Sequence, residues 1–179
     1  MGVATSLHIG VEEYLSNPAF EHCEYVDGQP VELHVGHQKH ARIQGRCFRK
    51  FDEYFDVHPG GYTGTELHCR LSIRGEVHFR LPDVAVVLGN RFTPDGYLDG
   101  APDLAVEVLS PDDTIAEQMR KFDDYFANGT KLGWLILPEE KSVLILLPSA
   151  PARAVVSGET LTGGDLLPDL AFPADYLFE

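Results

Sequence analysis

The chain has 179 residues, of which 44% are hydrophobic and 23% are charged, and these proportions are ordinary for a globular protein. This length accommodates one domain with a substantial core, and no linker-like stretch divides it, so we expect a single domain over residues 1–179. The formal net charge is −14 at pH 7. Proteins that bind many phosphates of a nucleic acid usually carry a basic surface. Any surface for nucleic acid must therefore be local.

Three sequence features bear on the compartment of the protein. No apolar run approaches the ~20 residues that a membrane-spanning helix needs. The N-terminus has no basic segment followed by an apolar core, as a signal peptide would. Cys23, Cys47 and Cys69 are odd in number and widely spaced, which disfavours a disulfide framework or a structural zinc site. Together these features predict a cytoplasmic protein without a membrane partner.

The first elements predicted along the chain are a short helix and a hairpin. The helix covers residues 7–16 and ends at Asn17-Pro18. The hairpin strands, residues 23–26 and 31–35, flank Asp27-Gly28, a dipeptide typical of tight turns between strands.

A long helix is predicted next, over residues 37–56. At 100° per residue, one side collects its apolar residues together with two polar ones: His40, Ile43, Gln44, Cys47, Phe48, Phe51, Tyr54 and Phe55. The opposite side carries the basic stripe, which consists of Lys39, Arg42, Arg46, Arg49 and Lys50. This stripe is either a solvated helix face or a surface that tracks phosphates.

The remaining chain predicts strands around one further helix. The strands lie at residues 65–73, 77–88, 104–109, 132–137 and 142–147. The helix is predicted to start at Ser110 as N-cap, with Pro111 at its first position, and to stop at Asn128-Gly129. In residues 158–179 turns alternate with short apolar pieces, and this pattern predicts a covering strand or loop. The order of elements predicts an α/β fold in which helices flank a mixed central sheet with buried inner strands.

One ionisable side chain, Glu107, interrupts the apolar run of residues 104–109. A carboxylate in such a strand is costly unless it is paired, hydrogen-bonded or bound to a metal. Asp103 shares the face of Glu107 but lies roughly 13 Å away at ~3.3 Å per residue, so we expect a strand-entry or turn residue there. Asp83, which follows a proline and opens another apolar run, is the expected partner from a neighbouring strand.

The cation expected to balance this pair is Lys121, on the helix that follows. Arg120 and Asp124 are predicted to point to solvent, whereas Lys121 lies on a flank from which a long side chain can reach the end of the sheet. The predicted buried face of this helix consists of Ile115, Met119, Phe122 and Phe126.

Two acids and an ammonium group at one sheet edge would form a hydrolytic site for a divalent metal. Asp83 and Glu107 would hold the ion, and an all-oxygen ligand set favours Mg²⁺ or Mn²⁺. Lys121 would stabilise developing negative charge or help to position the attacking water. The alternative is a structural Asp–Glu–Lys network without chemistry, in a module that binds nucleic acid or protein.

Several stretches, taken together, resemble the Uma-type family of restriction-endonuclease-like proteins in the PD-(D/E)XK nuclease superfamily. They are RLPDVAVV, GAPDLAVEVLSP, E-x-x-x-K-x-x-x-Y, Asn128-Gly129 and WLILP, with CEYVDGQPVEL upstream and LLPDLAFPADYLF at the end. The resemblance covers residues 11–178. It implies a restriction-endonuclease-like core and Mg²⁺-dependent hydrolysis of phosphodiester bonds, with DNA as the expected substrate, RNA as the alternative, and a homodimer as a further expectation.

The resemblance also assigns roles to individual residues. Asp83 is the motif aspartate, Glu107 is the motif glutamate, and Val108 would lend a backbone carbonyl to the metal. The lysine expected two residues after the glutamate is replaced by Leu109. The family pattern supplies a lysine from the following helix instead, and this lysine is Lys121.

Auxiliary roles are implied for three further residues. Glu24, in the family's E-x-x-D-G stretch, would be an auxiliary acid. His40 would brace the acids because its helix packs on the sheet, and Tyr125 would either orient Lys121 or pack in the core. His34, His37 and His40 recur every third residue, which raises the possibility of a zinc hydrolase, but this spacing crosses an element boundary and favours core or bracing histidines.

Overall fold

The computed structural model describes residues 8–33 and 38–179. In this part of the chain the α-helices are α1 (Val11–Ser16), α2 (Gln38–Val57) and α3 (Ile115–Ala127), and single 3₁₀ turns cover Pro18–Phe20 and Ala174–Leu177. The strands are β1 (Cys23–Val26), β2 (Gln29–Glu32), β3 (Gly61–Gly64), β4 (Cys69–Ile73), β5 (Glu76–Arg80), β6 (Val84–Leu88), β7 (Leu98–Asp99), β8 (Leu104–Val108), β9 (Leu132–Leu137), β10 (Ser142–Leu147), β11 (Ala150–Val156), β12 (Thr160–Gly163) and β13 (Leu167–Pro173).

The central sheet has six strands in the order β11-β10-β9-β8-β6-β3. Strand β8 pairs in parallel with β9 and antiparallel with β6, so the predicted mixed sheet is confirmed. A second sheet, in the order β2-β1-β5-β4-β7, and a β12-β13 ribbon complete the strand pairing. No helix in residues 8–33 and 38–179 is long and apolar enough to cross a membrane.

The central sheet is buried on both faces, and each face has its own helix. On one face, α2 contributes Ile43, Cys47 and Phe51 to a core that includes Val84, Val106 and Trp134. On the other face, α3 contributes Phe122 and Tyr125 to a core that includes Ala105 and Leu135. Side chains alternate along β8, so Glu107 shares the face of Ala105 and points toward α3.

The predicted hairpin is confirmed, with small shifts of its strands. Asp27 and Gly28 both adopt positive φ, at 50° and 74°, as a tight two-residue hairpin turn requires. β2 begins at Gln29, earlier than predicted, and predicted strand residues 34 and 35 lie outside the described part of the chain. The helix α1 begins at Val11 rather than at residue 7.

The strand predicted over residues 77–88 is two strands in the structure. β5 ends at Arg80 and β6 begins at Val84, because Pro82 has no N–H for the ladder and directs the chain out of the first sheet. This break places β5 and β6 in different sheets and leaves Asp83 at the start of β6. The strand predicted from residue 65 begins only at Cys69.

The predicted start of α3 at Ser110 is wrong. Its N-cap is Thr114, whose hydroxyl accepts a hydrogen bond from Glu117 N at 3.2 Å, while the Glu117 carboxylate accepts one from Thr114 N at 2.9 Å. This reciprocal capping box satisfies two helix-end donors and outweighs the Ser-Pro signal. Pro111 and Asp112 form a turn that precedes the helix.

The predicted buried face of α3 is also wrong in part. Ile115 is 47% exposed, whereas Gln118 and Tyr125 are buried beside Phe122. Apolar periodicity missed this face because the buried Gln118 is polar and the apolar Ile115 lies outside the face. Lys121 follows Gln118 by three residues and precedes Tyr125 by four, so it lies on the same side of the helix as they do.

Candidate active site

Asp83 and Glu107 lie opposite each other at one end of the central sheet. Val84 pairs with Val106 in antiparallel register, and the register extended by one residue matches Asp83 with Glu107. Opposed side chains on neighbouring strands have Cβ atoms ~4.5–5.5 Å apart. Asp83 Oδ2 also accepts a hydrogen bond of 2.6 Å from the backbone N–H of Val108. The structure thus places Asp83 and Glu107 together and brings in Val108 through its N–H group; the metal-binding role of the Val108 carbonyl stays a prediction.

Helix α2 holds Asp83 from the other side. His40 Nε2 lies 3.2 Å from Asp83 Oδ2, and the side-chain amide of Gln44 donates to the Asp83 carbonyl at 3.0 Å. Burial alone would lower the pKa of His40, but the hydrogen bond with Asp83 and the charges of Asp83 and Glu107 outweigh it, and the pKa is raised. His40 therefore has the position expected for a bracing residue. His34 and His37 lie outside the described residues.

Glu107 is 3% exposed and has two side-chain partners from α3. Tyr125 OH donates to Oε1 at 2.6 Å, and Lys121 Nζ lies 3.6 Å from Oε2. Burial raises the pKa of the Glu107 carboxyl to about 7, and nearby Asp83 adds to the rise while Lys121 opposes it. The hydroxyl of Tyr125 thus orients the carboxylate of Glu107, a contact that the sequence did not predict.

Lys121 reaches two acids from α3. Its Nζ lies 3.2 Å from Glu24 Oε1 in addition to the contact with Glu107. Burial alone would lower the pKa of Lys121, but the charges of Glu107, Glu24 and Asp83 outweigh it and raise the pKa. The side chain therefore remains an ammonium cation at neutral pH.

Arg80 and Asp124 extend this network, and no sequence pattern predicted a role for either of them. Arg80 donates to Glu24 Oε2 at 2.6 Å through NH1 and to Asp124 Oδ2 at 2.6 Å through NH2. Asp124, which was expected in solvent, is therefore ion-paired and largely buried. A signal for Arg80 was its place directly before Leu81-Pro82-Asp83, where the chain passes from one sheet to the next.

The site lies in a groove of about 850 Å³ with a strong excess of acids. Acidic residues in its lining outnumber Lys and Arg by twelve to four. Within the network itself, four carboxylates face the two permanent cations Arg80 and Lys121; these acids are Glu24, Asp83, Glu107 and Asp124. The groove therefore attracts cations and repels unshielded phosphates.

Asp103 belongs to a different cluster of charged residues, although it lies in the same sequence motif as Glu107. It is a buried residue directly before β8, as expected of a strand-entry residue. Its carboxylate pairs with Arg91 at 2.7 Å and with Lys131 at 2.9 Å. It therefore stabilises the entry to the strand and takes no part in the groove.

The basic stripe lies along α2, and its charges differ in their surroundings. Lys39 pairs with Glu139 at 2.7 Å, and Lys50 pairs with Glu53 at 2.8 Å. Arg42, Arg46 and Arg49 form no ion pair with an acid of the described residues. The five residues of the stripe are therefore not equivalent: among the described residues its two lysines have a carboxylate partner, and its three arginines have none.

Comparisons with known proteins agree with this fold. A crystal structure described as "a putative nuclease belonging to DUF820", from Anabaena variabilis, matches with a TM-score of 0.81 at 24% sequence identity, over 95% of this chain and 97% of the other. This likeness shows a shared fold. No curated protein matches the chain. The model of the Uma2 family, described as "Putative restriction endonuclease", matches residues 11–175. Because that match spans most of the chain, the protein belongs to the Uma2 family of restriction-endonuclease-like proteins.

Proposed function

We propose that the protein is a metal-dependent endonuclease that hydrolyses phosphodiester bonds of DNA at Asp83, Glu107 and Lys121. The observation that carries this proposal is the opposition of Asp83 and Glu107 across β6 and β8, with Lys121 Nζ 3.6 Å from Glu107. Membership of a family described as restriction endonucleases points to the same chemistry. Two acids and a lysine in one groove supply the groups that such hydrolysis requires.

The donor set of the groove fits Mg²⁺ or Mn²⁺. Asp83 and Glu107 offer carboxylate oxygens, the Val108 carbonyl offers a third, and the surrounding acids leave an excess of negative charge. In the described ranges no three His, Cys, Asp or Glu side chains are arranged to hold a metal. Mg²⁺ suits such an open site, because it is usually held by one or two carboxylates and keeps several waters. When bound, the ion would acidify a water and offset charge on the scissile phosphate.

Lys121 supplies positive charge where the phosphate becomes more negative during hydrolysis. Its ammonium group is held between Glu24 and Glu107, so the lysine is oriented before a substrate arrives. Charge that is oriented before the reaction commonly gives the largest single contribution to catalysis.

The remaining contacts position the two acids. Val108 N–H and His40 hold one oxygen of Asp83, which leaves Oδ1 for the ion. Tyr125 fixes the direction of Glu107 through its hydroxyl. We therefore assign Tyr125 and His40 as positioning residues and Asp83, Glu107 and Lys121 as catalytic residues.

Cleavage of supercoiled plasmid DNA in MgCl₂ or MnCl₂ tests the proposal. We expect Asp83→Asn, Glu107→Gln and Lys121→Met each to lower the cleavage rate by about 100-fold or more, in line with the loss of one charged catalytic group. Asp123→Asn is a matched control, because Asp123 is an exposed acid of the same groove. An Asp83→Asn protein with normal circular dichroism that cuts as fast as wild type would refute the assignment.

The alternative function is a non-catalytic module that binds nucleic acid or protein. The observation in its favour is that acids of the network are already paired with cations of the protein, as Glu24 is with Arg80 at 2.6 Å. Calorimetric titration with Mg²⁺ and Mn²⁺ separates the two functions. The endonuclease predicts binding heat that Glu107→Gln weakens, whereas the structural module predicts none for either protein.

The proposal also covers the cellular compartment and the oligomeric state of the enzyme. The three cysteines are free and buried, which suits a reducing cytoplasm. A homodimer is expected from the superfamily resemblance, and sedimentation velocity measures it directly.

A further inference from the structure

A second depression lies on the outer side of α2, next to the catalytic groove. It has a volume of about 580 Å³ and is lined by Ala41, Arg42, Gly45, Arg46, Arg49 and Tyr176. These six lining residues include three arginines and no acid, in contrast to the groove. We call Arg42, Arg46 and Arg49 the arginine surface.

The accessible hydrogen-bond donors of the arginine surface belong to Arg42 and Arg49, which are exposed residues. Arg46 stacks over the ring of Tyr176 at 5.6 Å, and its NH1 is buried without a hydrogen-bond partner among the described residues, so this residue contributes mainly its charge. Arg42 makes one long contact of 3.4 Å with the Glu179 carbonyl, and Arg49 is exposed. A guanidinium group with free donors binds phosphate oxygens in a fork geometry, and its charge does not depend on pH in the physiological range. The chemistry of this surface therefore fits phosphates.

The depression and the catalytic groove adjoin each other. Ala41 lines both, and it directly follows His40, the residue in contact with Asp83. Gly45 lies one turn further along the helix, and a Cβ atom added there would meet nothing within 4 Å. The two small side chains therefore leave open space between the catalytic acids and the arginine surface.

The spacing of the arginines suits a DNA strand. From Arg42 to Arg49 the helix rises roughly 10 Å at ~1.5 Å per residue. One strand of B-DNA carries a phosphate per ~3.4 Å of its axis, so this distance corresponds to about three phosphates. The acidic groove repels the backbone on either side of the cleaved bond, and the arginine surface is where that backbone can be anchored.

We infer that the arginine surface binds the DNA backbone a few nucleotides from the scissile phosphate, on a path that leaves the groove at Ala41 and continues along α2 past Gly45. This inference rests on the proposed function and adds a binding subsite to it. The anchored backbone supplies affinity that the acidic groove lacks, so substrates too short to reach α2 bind weakly.

Fluorescence anisotropy with a labelled 24-base-pair DNA duplex, without divalent ions, tests the inference. We expect the double substitution Arg46→Gln and Arg49→Gln to weaken binding by about tenfold or more and to reduce the slope of log K against log salt by about 2. The double substitution Lys39→Gln and Lys50→Gln is the matched control, since it removes the same charge from the same helix but at cations already paired with acids. We expect this control to bind within about twofold of wild type.

A second pair of variants tests the path and does not depend on the arginines. Gly45→Glu puts a carboxylate in the open space, whereas Gly45→Ala adds only a methyl group there. We expect Gly45→Glu to raise KM for the duplex about tenfold, and Gly45→Ala to raise it by less than about twofold. This pair also decides the question should the double arginine variant fail to fold.

The outcomes separate the two proposals. If the arginine variant binds as tightly as wild type with an unchanged salt slope, the subsite is overturned, while loss of cleavage in Asp83→Asn still supports the endonuclease. If the arginine variant loses binding but Asp83→Asn cuts normally, the subsite stands and the catalytic assignment falls. Wild-type protein that binds no duplex at all would overturn the subsite.

Discussion

Arg80 and Glu24 form an ion pair of 2.6 Å in which their side chains are only 12% and 3% exposed. Tyr25 pairs with Phe79 between β1 and β5, so Glu24 and Arg80 lie opposite each other one position further along. Arg80 also holds Asp124 of α3. One guanidinium group therefore ties the N-terminal hairpin to the helix that carries Lys121.

Replacing Arg80 by Met is expected to destabilise the protein by about 3 kcal/mol, because breaking the ion pairs removes the cation that holds Asp124 and leaves Glu24 with Lys121 alone. The free energy of unfolding in urea measures this loss. Arg80→Lys should fall between wild type and Arg80→Met, since an ammonium group cannot bridge two carboxylates in the geometry of a guanidinium fork. If Arg80→Met lowers the free energy of unfolding by less than 1 kcal/mol, Arg80 does not hold the hairpin and α3 together.

Tyr125→Phe removes the hydroxyl that donates to Glu107 and leaves the buried ring in place. We expect the Mg²⁺ concentration for half-maximal cleavage to rise about 10–100-fold, because groups that orient metal ligands have effects of this size. Cleavage rates over a series of Mg²⁺ concentrations measure the shift.

Phe122→Leu provides a comparison for Tyr125→Phe. Phe122 is also a buried aromatic residue of α3, but its ring packs in the apolar core and carries no hydroxyl that could donate to Glu107. We expect this substitution to lower stability by about 1–3 kcal/mol, because it leaves a small cavity, and to leave the Mg²⁺ requirement unchanged. Equal Mg²⁺ curves for Tyr125→Phe and wild type would remove the positioning role.

The fold could be predicted where local signals and burial agree. Strands β9 and β10 were predicted at their observed bounds, since their apolar runs are bordered by turn residues. The start of α3 was predicted wrongly, because Ser110-Pro111 and Thr114-Glu117 both resemble helix starts and only hydrogen bonds distinguish them. The break at Pro82 was missed because apolar residues continue on both sides of it.

The site could be predicted only where the sequence itself shows an ionisable residue inside an apolar strand. Glu107 is such a charge, and from it the partners Asp83 and Lys121 could be inferred. Arg80 and Asp124 could not, because an arginine at a strand end and an acid on a helix are ordinary surface residues until the hairpin packs against α3. The contact of Tyr125 with Glu107 depends on which side of α3 faces the sheet, and apolar periodicity did not predict that side correctly.

The stability contributed by Asp103 should depend on pH. Burial alone would raise the pKa of Asp103, but the hydrogen bond from Leu88 N–H and the charges of Lys131 and Arg91 outweigh it, and the pKa lies below its ordinary value of 3.8. A group whose pKa is lower in the folded state stabilises the protein above its unfolded pKa, and this contribution is lost as the pH falls through the folded pKa.

Asp103→Asn is therefore expected to lower the free energy of unfolding by about 1–3 kcal/mol at pH 7, the range for hydrogen bonds to charged groups. The difference from wild type should shrink steadily below pH 4. Urea denaturation of both proteins between pH 3 and 7 measures it. A constant difference over this range would show that the ion pairs with Arg91 and Lys131 contribute little.

Gly133 in β9 sets the distance between the central sheet and α3. A Cβ atom at this position would lie 2.6 Å and 2.7 Å from two ring atoms of Phe122, which is fully buried and adjacent to Lys121. Gly133→Ala should therefore push α3 outward, at a cost of about 1–3 kcal/mol in the free energy of unfolding.

The same displacement should also affect the groove, because Lys121 moves with the helix. We expect Gly133→Ala to lower plasmid cleavage more than tenfold, since a shift of ~1 Å in a catalytic group has effects of about 100-fold. Gly45→Ala is the counterpart, because its methyl group enters open space and should raise stability by roughly 0.5–1 kcal/mol without changing cleavage. If both variants cleave plasmid at the wild-type rate, the distance between α3 and the sheet does not govern the position of Lys121.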